Sequence, residues 1–355
     1  MDTKKNQRNE LQGESAKTPD VKMLAWNISP WCNLTCKHCY LGEIKGYDSL
    51  STHELDRIVD QISSIDVKVV FLAGGEPLLI RNLEYVIRQL AQTGVSVFVN
   101  TNGILLTEKR IDSLLRSQVS GVIIGFDGIT QESYEMIRGE HTYQQALQGL
   151  KTAIKMGMSV ESDFTLNCLN RHQLNSVPLW GDELKLKRIT VKRYVPRPES
   201  KFDSQLRLTP QILKETYHDF LDIFPYPSQR ESCKIYAHDP LFIVAKAEKG
   251  LLNQEDILRE DCNAGGYTRG WIGLSSQGNI QPCPVMTEEV VGNILSEELQ
   301  DIVKCSKMDI IRDAIPAICQ KCHHSSYCRG GCKATKIRMG TSLDKPDPCC
   351  WIYHK

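Results

Sequence analysis

Three cysteines near the start of the chain, Cys32, Cys36 and Cys39, have the spacing CxxxCxxC. They follow the strand-like segment MLAWNISP, so we expect them to lie on one tight loop at a strand end. Three thiolates on one loop can bind three irons of a [4Fe–4S] cubane and leave the fourth iron open to a ligand. The alternatives are a zinc site with His38 as the fourth ligand, and buried free thiols.

A second candidate for ligand binding is the tetrapeptide Gly74-Gly75-Glu76-Pro77, which ends the strand-like run VKVVFLAG. Two adjacent glycines allow the backbone to approach a ligand closely. The carboxylate of Glu76 can accept hydrogen bonds from an amino group. The alternative interpretation is an ordinary turn.

The C-terminal part of the chain contains nine of the fourteen cysteines, all between Cys262 and Cys350. Glycine and proline are also dense there and long apolar runs are rare, so we expect bound metal to organise this segment. A zinc ribbon built on Cys319, Cys322, Cys328 and Cys332, with His323 and His324 nearby, is one possibility. We expect Cys168 and Cys305 to be packed in the core.

The composition of the 355-residue chain is typical of a globular protein, with 41% hydrophobic and 24% charged residues. Its 43 basic residues balance 43 acidic ones, whereas a general electrostatic binder of nucleic acid or membrane is basic. The sequence has neither an apolar run of about 18 residues nor an N-terminal signal peptide. We therefore expect a cytoplasmic protein with no nucleic-acid or membrane partner, whose thiols bind metal rather than form disulfides.

Strand-like and helix-like segments alternate from Val21 to about Pro196. For example, the strand-like run at 67–74 precedes a helical pattern at 81–94, and VSVFVNTNG at 95–103 follows as the next strand. This alternation predicts an α/β fold with a parallel sheet covered by helices, and about six units fit a partial (β/α)6 TIM-like barrel. The strands of such a barrel end at a shared rim, which carries the chemistry.

We predict four segments along the chain. Residues 1–20 form a polar, mobile tail, and 21–200 form the partial barrel. A connector at 201–255 leads to a small cysteine-rich domain at 256–355.

The order of the N-terminal motifs resembles that of the radical S-adenosylmethionine (SAM) enzymes. The cysteine triad follows the first predicted strand, an aromatic residue follows the triad, and GGEP follows the second strand. The resemblance implies that Cys32, Cys36 and Cys39 hold a [4Fe–4S] cluster whose open iron binds SAM. It further implies that Tyr40 lies beside the adenine and that Gly74, Gly75, Glu76 and Pro77 hold the methionine amino group.

Three further positions match less specific family patterns. Asn102 lies in a T-N-G turn at the end of the third strand, and Asp127 lies in an S-x-D-G pattern in which Gly125 replaces the serine. Arg138 belongs to an R-G pair whose arginine can contact the SAM carboxylate. The resemblance implies that these residues help to bind SAM.

The chemistry implied by the resemblance is reductive cleavage of SAM. A reduced cluster donates one electron to the sulfonium, and the resulting 5′-deoxyadenosyl radical abstracts a hydrogen atom from the substrate. The cofactor supplies the reactivity, and the protein positions it.

The C-terminal cysteines resemble the SPASM domain, an extension of radical SAM enzymes that carries two auxiliary [4Fe–4S] clusters. The resemblance implies that Cys262, Cys283 and Cys332 bind one cluster. It assigns the other to Cys319, Cys322, Cys328 and Cys349, with Cys350 as an equally good last ligand. The first auxiliary cluster then lacks a fourth cysteine, so it either keeps an open iron or takes a ligand such as Cys233.

Auxiliary clusters favour net oxidation of the substrate, and we expect oxidative crosslinking or maturation of a peptide or protein. Modification of a tetrapyrrole side chain is the alternative. Formylglycine formation is disfavoured, because Pro284 occupies the position of the aspartate base in those enzymes. A zinc-stapled binding protein without enzymatic activity is the remote alternative.

The implied partners are an electron donor, such as flavodoxin or ferredoxin, and the peptide or protein substrate. Only about 20 residues precede the first predicted strand, which is too few for a leader-binding domain. A separate leader-recognition protein is therefore one expectation, and direct recognition by the barrel is the other.

Overall fold

A single ten-stranded sheet forms the framework of this protein, for which we analysed a computed structural model. The structure describes residues 21–42, 50–253, 262, 264 and 270–354, so the predicted tail at 1–20 lies outside the described residues. The strands are β1 Met23–Ser29, β2 Val69–Gly74, β3 Ser96–Thr101, β4 Gly121–Gly125, β5 Val160–Leu166, β6 Arg188–Arg193, β7 Lys234–His238, β8 Trp271–Leu274, β9 Asn279–Gln281 and β10 Gly292–Asn293.

Helices connect the strands and cover the sheet. They are α1 Thr52–Ser63, α2 Leu83–Gln92, α3 Glu108–Arg116, α4 Gln131–Arg138, α5 Tyr143–Lys155, α6 Val177–Glu183, α7 Asp203–Leu206, α8 Pro210–Ile223, α9 Pro240–Glu248, α10 Leu299–Ile302, α11 Ser306–Asp313, α12 Ala317–Gln320, α13 Ser325–Cys328 and α14 Lys333–Arg338. Short 3₁₀ helices occur at Pro77–Leu79, Arg171–Ser176 and Pro227–Gln229. In the described part of the chain, no helix is long and apolar enough to cross a membrane.

The strand order is β10-β9-β8-β1-β2-β3-β4-β5-β6-β7. Strands β1 to β7 pair in parallel in chain order, and this confirms the predicted α/β class with a parallel sheet. The stretch 201–255, predicted as a connector, contains α8, β7 and α9, and β7 extends the parallel sheet beyond β6.

The first helix shows how the sequence directs these elements. Ser51 and Glu54 form a capping box at the start of α1, with reciprocal bonds between side chain and backbone. Leu55, Ile58 and Ile62 follow at helical spacing and are buried in the main hydrophobic core.

The two faces of the sheet differ in polarity. In β5, Val160, Ser162, Phe164 and Leu166 are buried, whereas the alternate residues Glu161, Asp163 and Thr165 are only partly buried. Asn100 on β3 reaches Asp163 on β5 across the intervening β4, so these side chains lie on the concave face. On the same face, Phe71 on β2 contacts Trp271 on β8 across β1, with ring centroids 5.1 Å apart. The interior of the partial barrel therefore has an aromatic part and a polar part.

The C-terminal segment is joined to the barrel through the sheet. Strand β8 pairs in parallel with β1 and antiparallel with β9. A small second core, made of Ala264, Met286, Ile311 and Ala334, packs against the partly buried Cys262, Cys283 and Cys332.

Candidate active site

The first cysteine loop follows β1 and is fixed by backbone hydrogen bonds to the rim of the barrel. The amide of Glu76 donates to the carbonyl of Trp31 at 2.6 Å, and the amide of Gly75 donates to the carbonyl of Ser29 at 2.9 Å. On the other side of the loop, the amide of Lys37 donates to the carbonyl of Ile137 at 2.9 Å. The loop therefore lies between the ends of β1 and β2 and the end of α4.

The two glycines of GGEP are required by contact with this loop. Gly74 has a φ of +114°, and a Cβ at Gly75 would lie 2.0 Å from the carbonyl oxygen of Trp31. We expected these glycines to allow a ligand to approach. The structure shows that they first allow the cysteine loop to approach the end of β2.

The carboxylate of Glu76 holds neighbouring strand ends together. Its oxygens accept hydrogen bonds from Thr101 Oγ1 at 2.7 Å, from the amide of Asn102 at 2.8 Å and from the amide of Leu78 at 3.1 Å. The residue has 0% exposure, and burial raises the pKa of Glu76. In this structure the carboxylate is thus engaged with the strand ends, and its predicted contact with the methionine amino group stays a prediction.

Asn102 is also part of the support beneath the loop. Its Nδ2 donates to Asn33 Oδ1 at 2.8 Å, and its Oδ1 accepts from the amide of Ile104 at 3.0 Å. Since Asn33 lies between Cys32 and Cys36, the end of β3 directly positions the cysteine loop. The side chain of Asn102 thus supports the cysteine loop, and its predicted contact with SAM stays a prediction.

Asp127 is the centre of a buried ionic group below the loop. Its Oδ2 lies 2.6 Å from Arg138 Nε and 3.2 Å from His38 Nε2, and its Oδ1 accepts from the amide of Thr165 at 2.6 Å. Burial by itself raises the pKa of Asp127, but Arg138 and His38 outweigh it and hold that pKa below its usual value. With 0% exposure, Asp127 holds Arg138 in place, and its predicted role in binding SAM stays a prediction.

Gly125, which replaces the serine of the family pattern, makes room for Arg138. A Cβ at this position would lie 2.1 Å from Nη2 of Arg138. The guanidinium therefore occupies the space that a serine side chain would need. It also lies near enough to Cys32 and Cys36 to lower the pKa of both thiols.

The three thiols of the loop form one electrostatic group. Burial is the main cause that raises the pKa of Cys32, and it raises that of Cys36 to about 12. Cys39 contributes to both increases. His38 uses Nε2 to face Asp127, which removes this nitrogen from a zinc-ligand role.

Two arginines that the sequence analysis missed hold consecutive carbonyl groups at the end of the loop. Arg197 Nη1 donates to the carbonyl of Cys39 at 2.6 Å, and Arg338 Nη2 donates to the carbonyl of Tyr40 at 3.0 Å. Arg338 also binds the carbonyl of Val285, so it connects the C-terminal segment to the loop. Both lie far from the loop in sequence and belong to no recognisable motif.

Tyr40 lies where the loop, the barrel interior and the C-terminal segment meet. Its hydroxyl donates to Asn27 Oδ1 on β1 at 2.7 Å. Burial is the main cause that raises the pKa of Tyr40, and Cys39, Cys283 and Asp163 raise it further. The predicted adenine-side residue is therefore close to a predicted auxiliary-cluster ligand.

A polar group occupies the interior beside Tyr40. Lys192 on β6 forms an ion pair with Asp163 on β5, and Asn100 Nδ2 lies 3.4 Å from the same carboxylate. Lys192 also lowers the pKa of the Cys283 thiol, which burial raises. This polar group therefore lies within electrostatic range of both Tyr40 and Cys283.

Four cysteines of the C-terminal segment line one cavity: Cys319, Cys322, Cys328 and Cys350. Cys349 was the predicted last ligand, but its thiol points elsewhere and lies 3.4 Å from the carbonyl of Leu208. The arrangement therefore favours Cys350. Adjacent residues on a chain project differently, and the sequence could not distinguish them.

The other predicted ligand set, Cys262, Cys283 and Cys332, is also brought together. The thiolates of Cys262 and Cys332 raise the pKa of Cys283, and that of Cys262 raises the pKa of Cys332. Cys233 is excluded as a fourth ligand, since its buried thiol packs against Gly181 on α6. Cys168 and Cys305 bond to the carbonyls of Arg207 and Val291, as expected of core thiols.

These donor sets fit iron–sulfur clusters. Thiolate is the usual cluster ligand, and the four-cysteine set encloses a cavity instead of packing sulfur on sulfur. The first loop offers three thiols with a cationic guanidinium beside them, which suits an anionic cluster with one open iron.

Comparison with known proteins agrees with this geometry. Residues 26–171 match the model of the Radical SAM superfamily, and residues 262–324 match that of SPASM, an iron–sulfur cluster-binding domain. The mycofactocin maturase MftC of Mycobacterium tuberculosis is 26% identical over 345 residues, which cover 92% of this chain and 82% of the maturase. An AdoMet-dependent heme synthase of Methanosarcina barkeri is 23% identical over 353 residues, covering 94% and 97%.

Solved structures show the same fold. SuiB of Streptococcus suis bound to S-adenosylmethionine superposes with a TM-score of 0.77 at 18% identity, covering 98% of this chain and 81% of SuiB. SuiB bound to the precursor peptide SuiA gives the same TM-score at 16% identity, covering 98% and 80%.

The fold and the cysteine loop thus define a member of the radical SAM superfamily. Within it, the C-terminal cysteines make this chain a radical SAM enzyme with a SPASM domain, whose cofactors are SAM and [4Fe–4S] clusters.

Proposed function

We propose that this enzyme oxidatively modifies a peptide or protein, by crosslinking or a related maturation step. In this proposal Cys32, Cys36 and Cys39 hold the SAM-binding cluster. Cys262, Cys283 and Cys332 hold the first auxiliary cluster, and Cys319, Cys322, Cys328 and Cys350 hold the second.

The charge balance of the barrel interior carries the proposal. The cations that face the interior from β6 are each neutralised by a carboxylate on β5, Lys192 by Asp163 and Arg188 by Glu161. A tetrapyrrole with several carboxylate side chains requires an excess of cations. A balanced polar surface suits the amide groups of a peptide better.

The relatives support both candidate substrates. MftC is named a maturase, and one SuiB structure contains a precursor peptide. Tetrapyrrole modification stays the second candidate because the chain is also similar to a heme synthase. The charge balance described above is what favours the peptide.

Different residues would bind SAM and accept a proton from the substrate. Arg138, Tyr40 and the Gly74–Gly75 turn border the SAM site, and the bound cofactors supply a 5′-deoxyadenosyl radical that abstracts a hydrogen atom. Net oxidation then requires the substrate radical to lose one electron and one proton. Asp163, which is paired with Lys192 and close enough to Tyr40 to raise its pKa, can accept that proton.

Partners outside the chain complete the proposal. The electron for SAM cleavage comes from a flavodoxin or ferredoxin, which can approach the exposed Trp31 directly before Cys32. A separate leader-recognition protein presents the peptide. We place the reaction in the cytoplasm, where free thiols stay reduced.

The test uses the anaerobically reconstituted enzyme with SAM and dithionite. One set of reactions contains synthetic peptides encoded by short reading frames next to its gene, and the other contains an iron porphyrin with propionate side chains. We expect 5′-deoxyadenosine together with a peptide that has lost hydrogen, measured by mass spectrometry. Turnover of the porphyrin but of no peptide would overturn the proposal in favour of the second candidate.

A further inference from the structure

Helix α14 carries a buried lysine that forms no ion pair with a carboxylate among the residues that the structure describes. Lys336 has 0% exposure. Among the described residues, its ammonium group donates one hydrogen bond, to the carbonyl of Leu343 at 3.4 Å, which is long for such a bond. An ammonium group has three donors, and burying it without a counter-charge is costly.

Lys336 lies between the two auxiliary ligand sets. Its Nζ is 3.2 Å from the position of a Cβ on Gly330, and Gly330 lines the cavity of the four-cysteine set. The backbone amide of Lys336 donates to the carbonyl of Cys332, a member of the other ligand set, at 3.2 Å. Burial and Lys333 lower the pKa of Lys336, whereas Asp347, Cys319 and Cys262 raise it. One cation therefore acts on a ligand of each predicted auxiliary cluster.

The neighbouring carboxylate is committed to other partners. Asp347 is fully buried and forms an ion pair with Arg193 at 2.6 Å. It also accepts hydrogen bonds from the amides of Cys332 and Cys349, both at 2.8 Å.

Binding of iron–sulfur clusters at these two ligand sets would supply the negative charge that Lys336 lacks. A [4Fe–4S] cluster with thiolate ligands is anionic, and reduction adds another negative charge. A nearby cation in a medium of low dielectric constant stabilises the reduced state most, and cluster potentials depend on such local charge.

We propose that Lys336 is a shared counter-ion of the two auxiliary clusters and raises the reduction potentials of both. Lys336 would act on the reaction only through the clusters, by placing a positive charge beside them. Its consequence is that both clusters accept an electron from the substrate radical more readily. This inference rests on the cluster assignments and is independent of the peptide proposal.

The test is a redox titration of the full reconstituted chain, followed by electron paramagnetic resonance, for wild type and Lys336→Met. We expect the midpoint potentials of both auxiliary clusters to become more negative by at least about 59 mV each. This shift corresponds to a tenfold change in the equilibrium constant of one-electron reduction. The SAM-binding cluster keeps its potential. Lys321→Met is the matched control, because Lys321 lies between Cys319 and Cys322 but is exposed, so solvent screens its charge.

Lys336→Arg separates charge from packing. If Lys336→Met does not load its auxiliary clusters but Lys336→Arg loads them, the positive charge is needed to hold them and the proposal stands. Unchanged potentials in Lys336→Met, an equal shift in Lys321→Met, or failure of both Lys336 variants to load would overturn it.

Discussion

The two cysteine regions are built on different principles. The N-terminal loop places Cys32, Cys36 and Cys39 within eight positions and rests on the ends of β1, β2 and β3. The C-terminal region collects its thiols from segments spread over residues 262 to 350, around a small core and a cavity. In the first region the sequence defines the ligands and the barrel fixes the loop. In the second region, the fold defines which thiols meet.

The buried polar groups that surround the two cysteine regions also differ. Beneath the N-terminal loop, buried polar groups such as Glu76 and Asp127 make several hydrogen bonds each. Around the C-terminal sites, Arg193 joins β6 to Asp347 and Asp239 in a buried ionic network. A change in the first region should therefore affect SAM cleavage, whereas a change in the second should affect cluster content and product formation.

The largest effect is expected from replacing Cys32, Cys36 and Cys39 together by alanine. The cluster whose open iron binds SAM then has no cysteine ligands, so 5′-deoxyadenosine formation should fall to background and about four irons per chain should be lost. Iron analysis and chromatography of the reaction measure both. Cys305→Ala, which removes a core thiol, is the control, and retained cleavage in the triple variant would disprove the assignment.

Replacement of single adjacent cysteines sharpens the assignment in the C-terminal region. Cys350→Ala should lose about one cluster of iron, because Cys350 lines the cavity, and it should still cleave SAM. Cys349→Ala should keep its full iron content, since that thiol lies against Leu208. The reverse pattern in iron, sulfide and resonance spectra would show that Cys349 is the ligand.

The variant Gly125→Ser restores the family's residue and should be harmful here. The added side chain overlaps Arg138, so we expect a loss of about 1–3 kcal/mol in unfolding free energy and weaker SAM binding. Denaturant unfolding and SAM titration measure these effects. The double variant Gly125→Ser/Arg138→Ala should lose less unfolding free energy than the sum of the losses in the two single variants. A loss equal to that sum would mean that the two side chains do not compete for space.

The smallest effect is expected from Arg338→Met, which breaks the link between the two regions. Loss of its bond to the carbonyl of Tyr40 should slow SAM cleavage several-fold and alter the resonance spectrum of the SAM-binding cluster. Arg116→Met removes an exposed ion pair and is the control. An unchanged spectrum and rate in Arg338→Met would indicate that the contact is only structural.

The fold class and the ligands of the first loop could be predicted because both depend on local patterns. Strand–helix alternation identifies the parallel sheet, and the triad spacing identifies the loop. The position of β7 within the predicted connector was missed, because Lys234–His238 is short and lies in an irregular stretch.

The roles of Glu76, Asn102 and Asp127 could not be predicted from their motifs. A motif shows that a polar residue stands at a strand end, but not whether its side chain faces the ligand or the protein. Their contacts within the protein depend on distant partners, such as Arg138 and His38 for Asp127, which the motif does not contain. For the same reason, Arg197, Arg338 and the choice between Cys349 and Cys350 required the structure.

The most direct test of the central claim is the iron, sulfide and zinc content per chain after anaerobic reconstitution. Three cubane sites predict about 12 irons with matching sulfide and no zinc. About four irons with zinc would contradict the auxiliary clusters, and zinc without iron would contradict the radical SAM assignment itself.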